Sequence, residues 1–415
     1  MAKAWAKSNC ECRRQRCLTT AGLSYGACRL QDGLMYCSVS AMSYALHIGP
    51  NIRKSPYFEA TVAEGVRSFS VYNHMYIPGS FGDPDAEYHR LIHAVAMWDV
   101  AAQRQVEIRG TDATRLVQHL STRDVSGMQA GQGRYVALCD QHGLLLNDPV
   151  LLKLAEDRYW FSIADSDILL WAAGIAHSQA LDVEVLEPDV SPMAVQGPKA
   201  EDLVVGLFGE WAHQLRYFWF RETDLAGIPL ILARSGWSKQ GGFELYLQDA
   251  NRGTELWNIV REAGQPLGIG PGAPNDVERI ESGLISYGAD MRRQTFPANP
   301  FEMGLGKLVD LDRSDDFMGR KALEQIHRDG PKRCRKGVFL GGPEIAPNQH
   351  PLPVLLEGNE VGLLSEVARS PRLQRNIGLA LINNSVPEDA SGLRARLHDR
   401  DWSLTLTDLP FIQRS

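Results

Sequence analysis

The chain has 415 residues, 44% hydrophobic and 22% charged, a composition ordinary for a globular protein with room for two or three compact units. Its formal net charge of −7 gives no overall basic footprint, which argues against nucleic acid as the main partner. No run of about 18 apolar residues occurs, so no membrane partner is expected.

The first segment differs from the rest. Five of the seven cysteines, Cys10, Cys12, Cys17, Cys28 and Cys37, fall within 37 residues, leaving Cys139 and Cys334 for the remaining chain. That usage fits a cytoplasmic protein without a disulfide framework. The C-x-C-x4-C spacing has no second knuckle and no His, so no metal is expected, and there is no uninterrupted apolar stretch of a secretory signal. Six Lys or Arg stand against Glu11 and Asp32 up to residue 45, a local +4 that leaves −11 for residues 46–415. Residues 1–45 read as a poorly folded leader, with upstream translation and a start at Met42 as one reading and a metal or redox tail as another.

From about residue 57, helical and strand-like segments alternate without repeats. "RQVEIRG" (104–110) predicts a strand and "TDATRLVQHLST" (111–122) a helix, with Thr111 as the candidate N-cap. Residues 134–164 predict consecutive strands, one ending at Cys139, a turn at Gln141-His142-Gly143, a second strand carrying Asn147-Asp148-Pro149, and then "RYWFSIA". Asp148 is an acid in an apolar run, followed by a residue that cannot donate to a ladder. It is either a turn Asp bonded to nearby backbone or a carboxylate aimed into a pocket. Tyr135 is open between core and site, and "SIADSDI" (162–168) between a plain helix start and a receptor for an anionic group.

In "SGWSKQGGFELYL" (235–247), Phe243, Leu245 and Leu247 alternate with Glu244 and Tyr246, which predicts a strand with carboxylate and phenol on one face. The bland alternative is a hairpin whose outer face carries them. Gly241-Gly242 permits a sharp turn or a close backbone approach. "APNDVERIESGLISYG" (273–288) predicts an amphipathic helix with a capping box at Asn275 and Glu278, a C-terminal Gly288, and Arg279 off the apolar stripe. Arg279 and Glu281 then read as a solvated pair unless they serve a site. Polar and Gly/Pro residues at 327–337 mark a boundary. Beyond it "LRARL" and "WSLTLT" alternate strictly, predicting a small antiparallel barrel or sandwich. No P-loop, GxGxxG, HExxH or GxSxG motif appears.

Residues 57–411 resemble the folate-dependent aminomethyltransferases, the family of the glycine-cleavage T-protein. The resemblance rests on "GLLLNDPVLL" (143–152), "GGFELYL" (241–247), "ERIESGLISYGADM" (278–291) and the tail "VGLLSEVARSPRLQRNIGLALI" (361–382) with "LPF" (409–411). Within the family, "VYNHMYIP", "SIADSD" and "SGWSKQGG" are most similar to the branch that demethylates dimethylsulfoniopropionate. "WSKQGG" replaces a "YTGEDG"-like stretch and "ND" replaces "DD", which separates the chain from glycine cleavage itself.

The resemblance implies an α+β, three-domain cloverleaf of the T-protein type around a central folate site: two interleaved α+β subdomains that make a folate-binding region over 46–330, and a C-terminal β-barrel or sandwich domain over 331–415, with the leader 1–45, expected to be disordered, standing outside it. It implies tetrahydrofolate as methyl acceptor and a small-molecule methyl donor, with a homodimer as the candidate assembly. By motif, Asp148 is the expected catalytic aspartate, and Tyr135, Ser162, Glu244 and Arg279 are expected at the folate. A sulfonium donor calls for aromatic faces, for which Trp237 and Tyr246 are candidates, with Lys239 as a candidate for its carboxylate. Two alternatives stay open: a methoxy-aromatic or methylated-amine donor, and a non-catalytic folate-binding protein.

Overall fold

The computed structural model describes residues 48–413 and, before them, only an antiparallel pair of short strands, Arg29–Gln31 and Leu34–Tyr36. Contacts divide the chain after Gly49, and the second unit carries the site. The readings of the leader otherwise lie outside the described residues. Among the described residues no helix is long and apolar enough to cross a membrane.

The alternating segments in the middle of the chain form two sheets that share an apolar seam. The first is antiparallel and runs in the order Glu184–Leu186, Gln105–Arg109, Arg158–Ser162, Val150–Ala155, Gly133–Tyr135. Helices Ala113–Leu120 and Ile168–Ser178 cover one of its faces through Leu116, Val117, Leu120, Ile168 and Ala172. Thr111 does not cap the first of these helices. Asp112 occupies the N-cap position, and the Thr111 hydroxyl instead donates to Asp182 at 2.8 Å, a partner that local sequence does not reveal.

The second sheet runs Phe220–Leu225, Ile228–Ala233, Gly242–Leu247, Ser191–Gln196, Val95–Asp99, Ile269–Gly272, with only the last pair parallel. Gly242–Leu247 is a central strand, so both of its rows are covered. Phe243, Leu245 and Leu247 pack with Leu203, Leu256 and Trp257 on the helical side. On the other side Tyr246 packs with Leu152, Trp160, Phe220 and Ile231, joining the two sheets. Burying side chains of this size contributes roughly 1.5–3 kcal/mol each. The outer-face reading of Glu244 and Tyr246 therefore fails: they are 6% and 1% exposed.

Two small elements shape the site. Between Leu145–Asn147 and Val150–Ala155 the ladder breaks at Asp148-Pro149, where Pro149 has no N–H to give. The predicted helix over 273–288 is shorter, Asp276–Glu281. Asn275 caps it by accepting from the Glu278 N–H at 2.9 Å, as the capping pattern requires. Gly283, with φ +63, lies beyond its end rather than inside it. Three of the helix's polar residues are buried along with Ile280, Glu278 at 1% and Arg279 and Glu281 at 0% exposure. The apolar stripe does pack, with Ile280 and Val277 against Ala368, Ile377 and Leu379 of the barrel, but the opposite side is covered too, by the ionic partners of Arg279 and Glu281.

The C-terminal strands close into a six-stranded barrel, Arg333–Gly341, Arg375–Asn383, Asn359–Ser370, Leu352–Leu356, Arg394–Leu397, Arg400–Thr407. Alternating residues such as Val338, Leu340, Leu364, Ala380 and Leu404 fill it. Its first strand starts at Arg333, inside the stretch that the sequence marks as a polar boundary.

Candidate active site

The ladder break at Pro149 frees Asp148 from strand geometry and turns it toward Tyr135, whose hydroxyl donates to Asp148 Oδ2 at 2.6 Å. The Val136 N–H donates to the Pro149 carbonyl at 3.1 Å, holding the two segments together. Asp148 keeps some exposed surface, yet it is enclosed enough that burial pushes its carboxyl up to about 7, with the Tyr135 hydrogen bond opposing and the Asp290 charge adding to the rise. The Tyr72 and Tyr287 phenols also feel the Asp148 charge.

A second polar group sits where the two sheets meet. Glu244 Oε2 accepts from Ser235 Oγ in a short contact and from the Tyr246 hydroxyl at 3.2 Å. Tyr246 also bonds Ser162, and Ser162 pairs with Val150 across the first sheet, two residues from Asp148. Burial pushes the Glu244 carboxyl upward, and among the described residues no cation lies within ion-pair distance of it. A narrow cleft beside this group, with room for about one water molecule, is lined by Gly133, Val150, Phe218, Trp219, Ser235 and Tyr246.

The loop before the Glu244 strand is fixed from both ends. Gly236 and Gly242 lie so close to the Gln196 amide that a Cβ at either would fall 2.0 or 2.4 Å from Gln196 Nε2. Glu278 then ties down the loop top, accepting from Lys239 N, Gln240 Nε2 and Ser282 Oγ at 3.1, 2.8 and 2.7 Å. Lys239 reaches the site region by its backbone; its side chain forms no ion pair among the described residues. Trp237 donates its indole N–H to Ile285 O at 3.1 Å and has the Arg279 guanidinium 5.8 Å from a ring centroid.

Arg279 is wholly buried and saturated with acids: Asp290 at 3.0 Å, Asp276 at 3.6 Å and Glu366 in a shorter contact. It lies against the Trp237 ring and presents no acid-free guanidinium to a ligand. Asp290 is held in turn by Ser286 N and Ser365 Oγ at 3.0 and 2.9 Å. Arg335, on the first barrel strand, donates to the Gly283 and Leu284 carbonyls at 2.8 and 3.1 Å. Its charge acts on Tyr135 and Asp148. Asp148, Glu244, Trp237 and Arg335 thus arrive from all three sheet systems.

The glycine cleavage T-protein N-terminal domain model matches residues 57–313, and that family's C-terminal barrel model matches 336–413. The chain belongs to the glycine cleavage T-protein family. Its similarity to other T-protein relatives extends over most of their own length. It is 42% identical to a dimethylsulfoniopropionate demethylase of Ruegeria pomeroyi, over 84% of this chain and 94% of that protein. It is 30% identical to an aminomethyltransferase of Rubrobacter xylanophilus, over 88% and 95%. The fold is that of the glycine cleavage aminomethyltransferase T of Bartonella henselae, with a TM-score of 0.75, 20% identity, and coverage of 87% of this chain and 98% of that one. This is the expected α+β T-protein fold, and the choice between barrel and sandwich is settled as a closed barrel.

Sequence reasoning missed several residues that hold the expected ones in place: Ser235, Gln196, Asp290, Arg335 and Glu366. Asp290 sits within "GADM" and Ser235 opens "SGWSKQGG", yet neither has a sequence neighbour that would give it meaning. Arg335 is hidden by its polar neighbours, which read as linker.

Proposed function

We propose that this protein is a tetrahydrofolate-dependent demethylase that moves a methyl group from dimethylsulfoniopropionate to N5 of tetrahydrofolate, giving methylmercaptopropionate and 5-methyltetrahydrofolate. The observation that carries this reading is the 42% identity to a demethylase of that name across nearly its whole length, joined to the geometry around Asp148. The residues fit a reduced pterin: Glu244 and Asp148 are enclosed carboxylates whose hydrogen-bond partners are hydroxyls rather than ion-pair cations, which suits N–H donors of the pterin ring.

Bound tetrahydrofolate supplies the nucleophilic N5. Glu244, Ser162 and Tyr135 are the proposed contacts that hold it, with Arg279 acting through Trp237. Asp148, ionised, would orient the pterin and place negative charge where an onium methyl arrives. The thioether leaving group is neutral and needs no proton. The residues therefore act by alignment and exclusion of water, worth about 7–11 kcal/mol for well-oriented reactants. Trp237 offers the indole face away from Arg279 to the sulfonium, with Tyr246 as a further proposed substrate contact and Lys239 as one candidate cation for the donor's carboxylate.

The weakened acidity of Asp148, whose carboxyl burial pushes up to about 7, favours one second reading. A partly protonated Asp148 at neutral pH could serve as the acid that a methoxy-aromatic or amine leaving group requires. The deciding assay incubates purified protein with tetrahydrofolate and dimethylsulfoniopropionate, then repeats with vanillate, dimethylglycine and glycine-derived aminomethyl donors. Methylmercaptopropionate formation in the first and not the others is expected; turnover of another donor alone would replace the reading. The unpaired Cys139 and Cys334 support a cytoplasmic location, and a homodimer is the proposed assembly, to be checked by light scattering.

A further inference from the structure

Arg335 is a cation in the site without an acid of its own. The acids of the surrounding cluster, Asp290, Asp276 and Glu366, all bond to Arg279, whereas among the described residues Arg335 forms no ion pair. Its Nη2 is spent on the Gly283 and Leu284 carbonyls. Its Nε is buried with no partner, and Nη1 makes no hydrogen bond among the described residues. Enclosed guanidinium groups are normally paired with anions, because desolvation costs several kcal/mol when nothing compensates it. Here the guanidinium stands close enough for its charge to act on Tyr135 and Asp148, next to the carboxylate that would face the methyl group.

We propose that Arg335 binds the carboxylate of the methyl donor through Nη1, which has no protein acceptor among the described residues, and so selects sulfonium acids over other methyl donors. The proposal rests on the demethylase reading and deepens it, since a sulfonium acid is a zwitterion whose two ends require opposite partners. Trp237 and Asp148 address the cation; Arg335 addresses the anion. The barrel then contributes specificity to a site whose chemistry comes from the two sheets.

The test compares dimethylsulfoniopropionate with its primary amide, 3-(dimethylsulfonio)propionamide, which keeps the sulfonium and shape but loses the charge. A charge-assisted bond of the usual strength gives the wild type about a 100-fold preference for the acid in kcat/KM. Arg335→Gln should reduce that preference to within about threefold. Arg335→Lys should leave an intermediate value, because an ammonium restores charge without the planar fork. Lys239→Met should keep the full preference. Being a ratio between two donors, the readout does not move with a general loss of folded protein, and the Lys variant carries the test if the Gln variant does not fold. An undiminished preference in both Arg335 variants, or one abolished by Lys239→Met, overturns the assignment. A wild type that uses acid and amide equally also overturns it while leaving the demethylase reading intact. A wild type that demethylates neither overturns both.

Discussion

At the scale of single residues, Asp148 carries the clearest conflict between stability and use. Burial pushes its carboxyl up to about 7, whereas in the unfolded chain it titrates near 4. The folded state therefore binds the proton more tightly, and the contribution of Asp148 to stability falls as pH rises from about 4 to about 7, then levels off. Asp148→Asn removes that charge while keeping an acceptor for the Tyr135 hydroxyl. The variant should gain stability relative to the wild type between pH 5 and pH 8, on the order of 1 kcal/mol. Asp99, buried and raised to about 6 for the same reason, contributes equally to both proteins and cancels. In activity the order reverses: turnover should drop about 100-fold while folate affinity changes less, and wild-type kcat/KM should rise with pH through about 7. Urea titrations at the two pH values check the first part, and a variant that is no more stable at pH 8 would remove the burial argument. Trp237 offers a gentler probe. Trp237→Ala should raise the donor KM about tenfold if one aromatic face contributes about 1.4 kcal/mol, and an unchanged KM would take it out of the cation's enclosure.

At the scale of elements, the strand Gly242–Leu247 shows what sequence does and does not reveal. Its period-two pattern places Glu244 and Tyr246 together, and they are together, sharing a hydrogen bond. Their surroundings were illegible, because burial of the polar row depends on a second sheet more than fifty residues away in sequence, which brings Trp160 and Leu152 over it. The same limit applies to Asp276–Glu281. The cap at Asn275 is local and could be read; the burial of Arg279 depends on Asp290 and on Glu366 of the barrel, and could not. The Gly pair separates the two kinds of information experimentally. Gly241, with φ +83, has no atom within 4 Å of a would-be Cβ, so Gly241→Ala meets only the backbone cost of about 1–2 kcal/mol. Gly242→Ala would bring its Cβ to 2.4 Å from Gln196 Nε2 and 2.5 Å from Val195 O, adding roughly 1–3 kcal/mol of steric strain and displacing the Glu244 strand. Denaturant unfolding should rank Gly242→Ala as the more destabilised and the only one with weakened folate binding. Equal effects would mean that flexibility, not close approach, explains the pair.

At the scale of the whole molecule, the barrel is joined to the remaining structure through buried charge. Glu281, at 0% exposure, accepts from both directions: the Tyr88 hydroxyl lies 2.9 Å from each oxygen, Ser370 Oγ at 2.5 Å, and Arg372 Nε at 2.9 Å. Tyr88 belongs to helix Pro84–His93, whereas Ser370 ends the barrel strand Asn359–Ser370, so one carboxylate bridges distant parts of the chain. Arg372 is 27% exposed and can return to water if it loses its partner, but Glu281 cannot. The two deletions should therefore be unequal. Arg372→Met leaves a buried carboxylate without its cation and should cost about 3–5 kcal/mol. Glu281→Met frees a cation that rehydrates, and should cost less. The double variant should be more stable than Arg372→Met alone, with a coupling of about 1–3 kcal/mol from the cycle. Neither side chain is proposed to touch folate or donor, yet Arg372→Met should weaken folate binding, because Glu281 shares its short helix with Arg279 and so with the floor of Trp237. Additive stabilities in the cycle, or a destabilised Arg372→Met with undiminished folate affinity, would mean that the barrel is merely attached to the site rather than helping to hold it in shape.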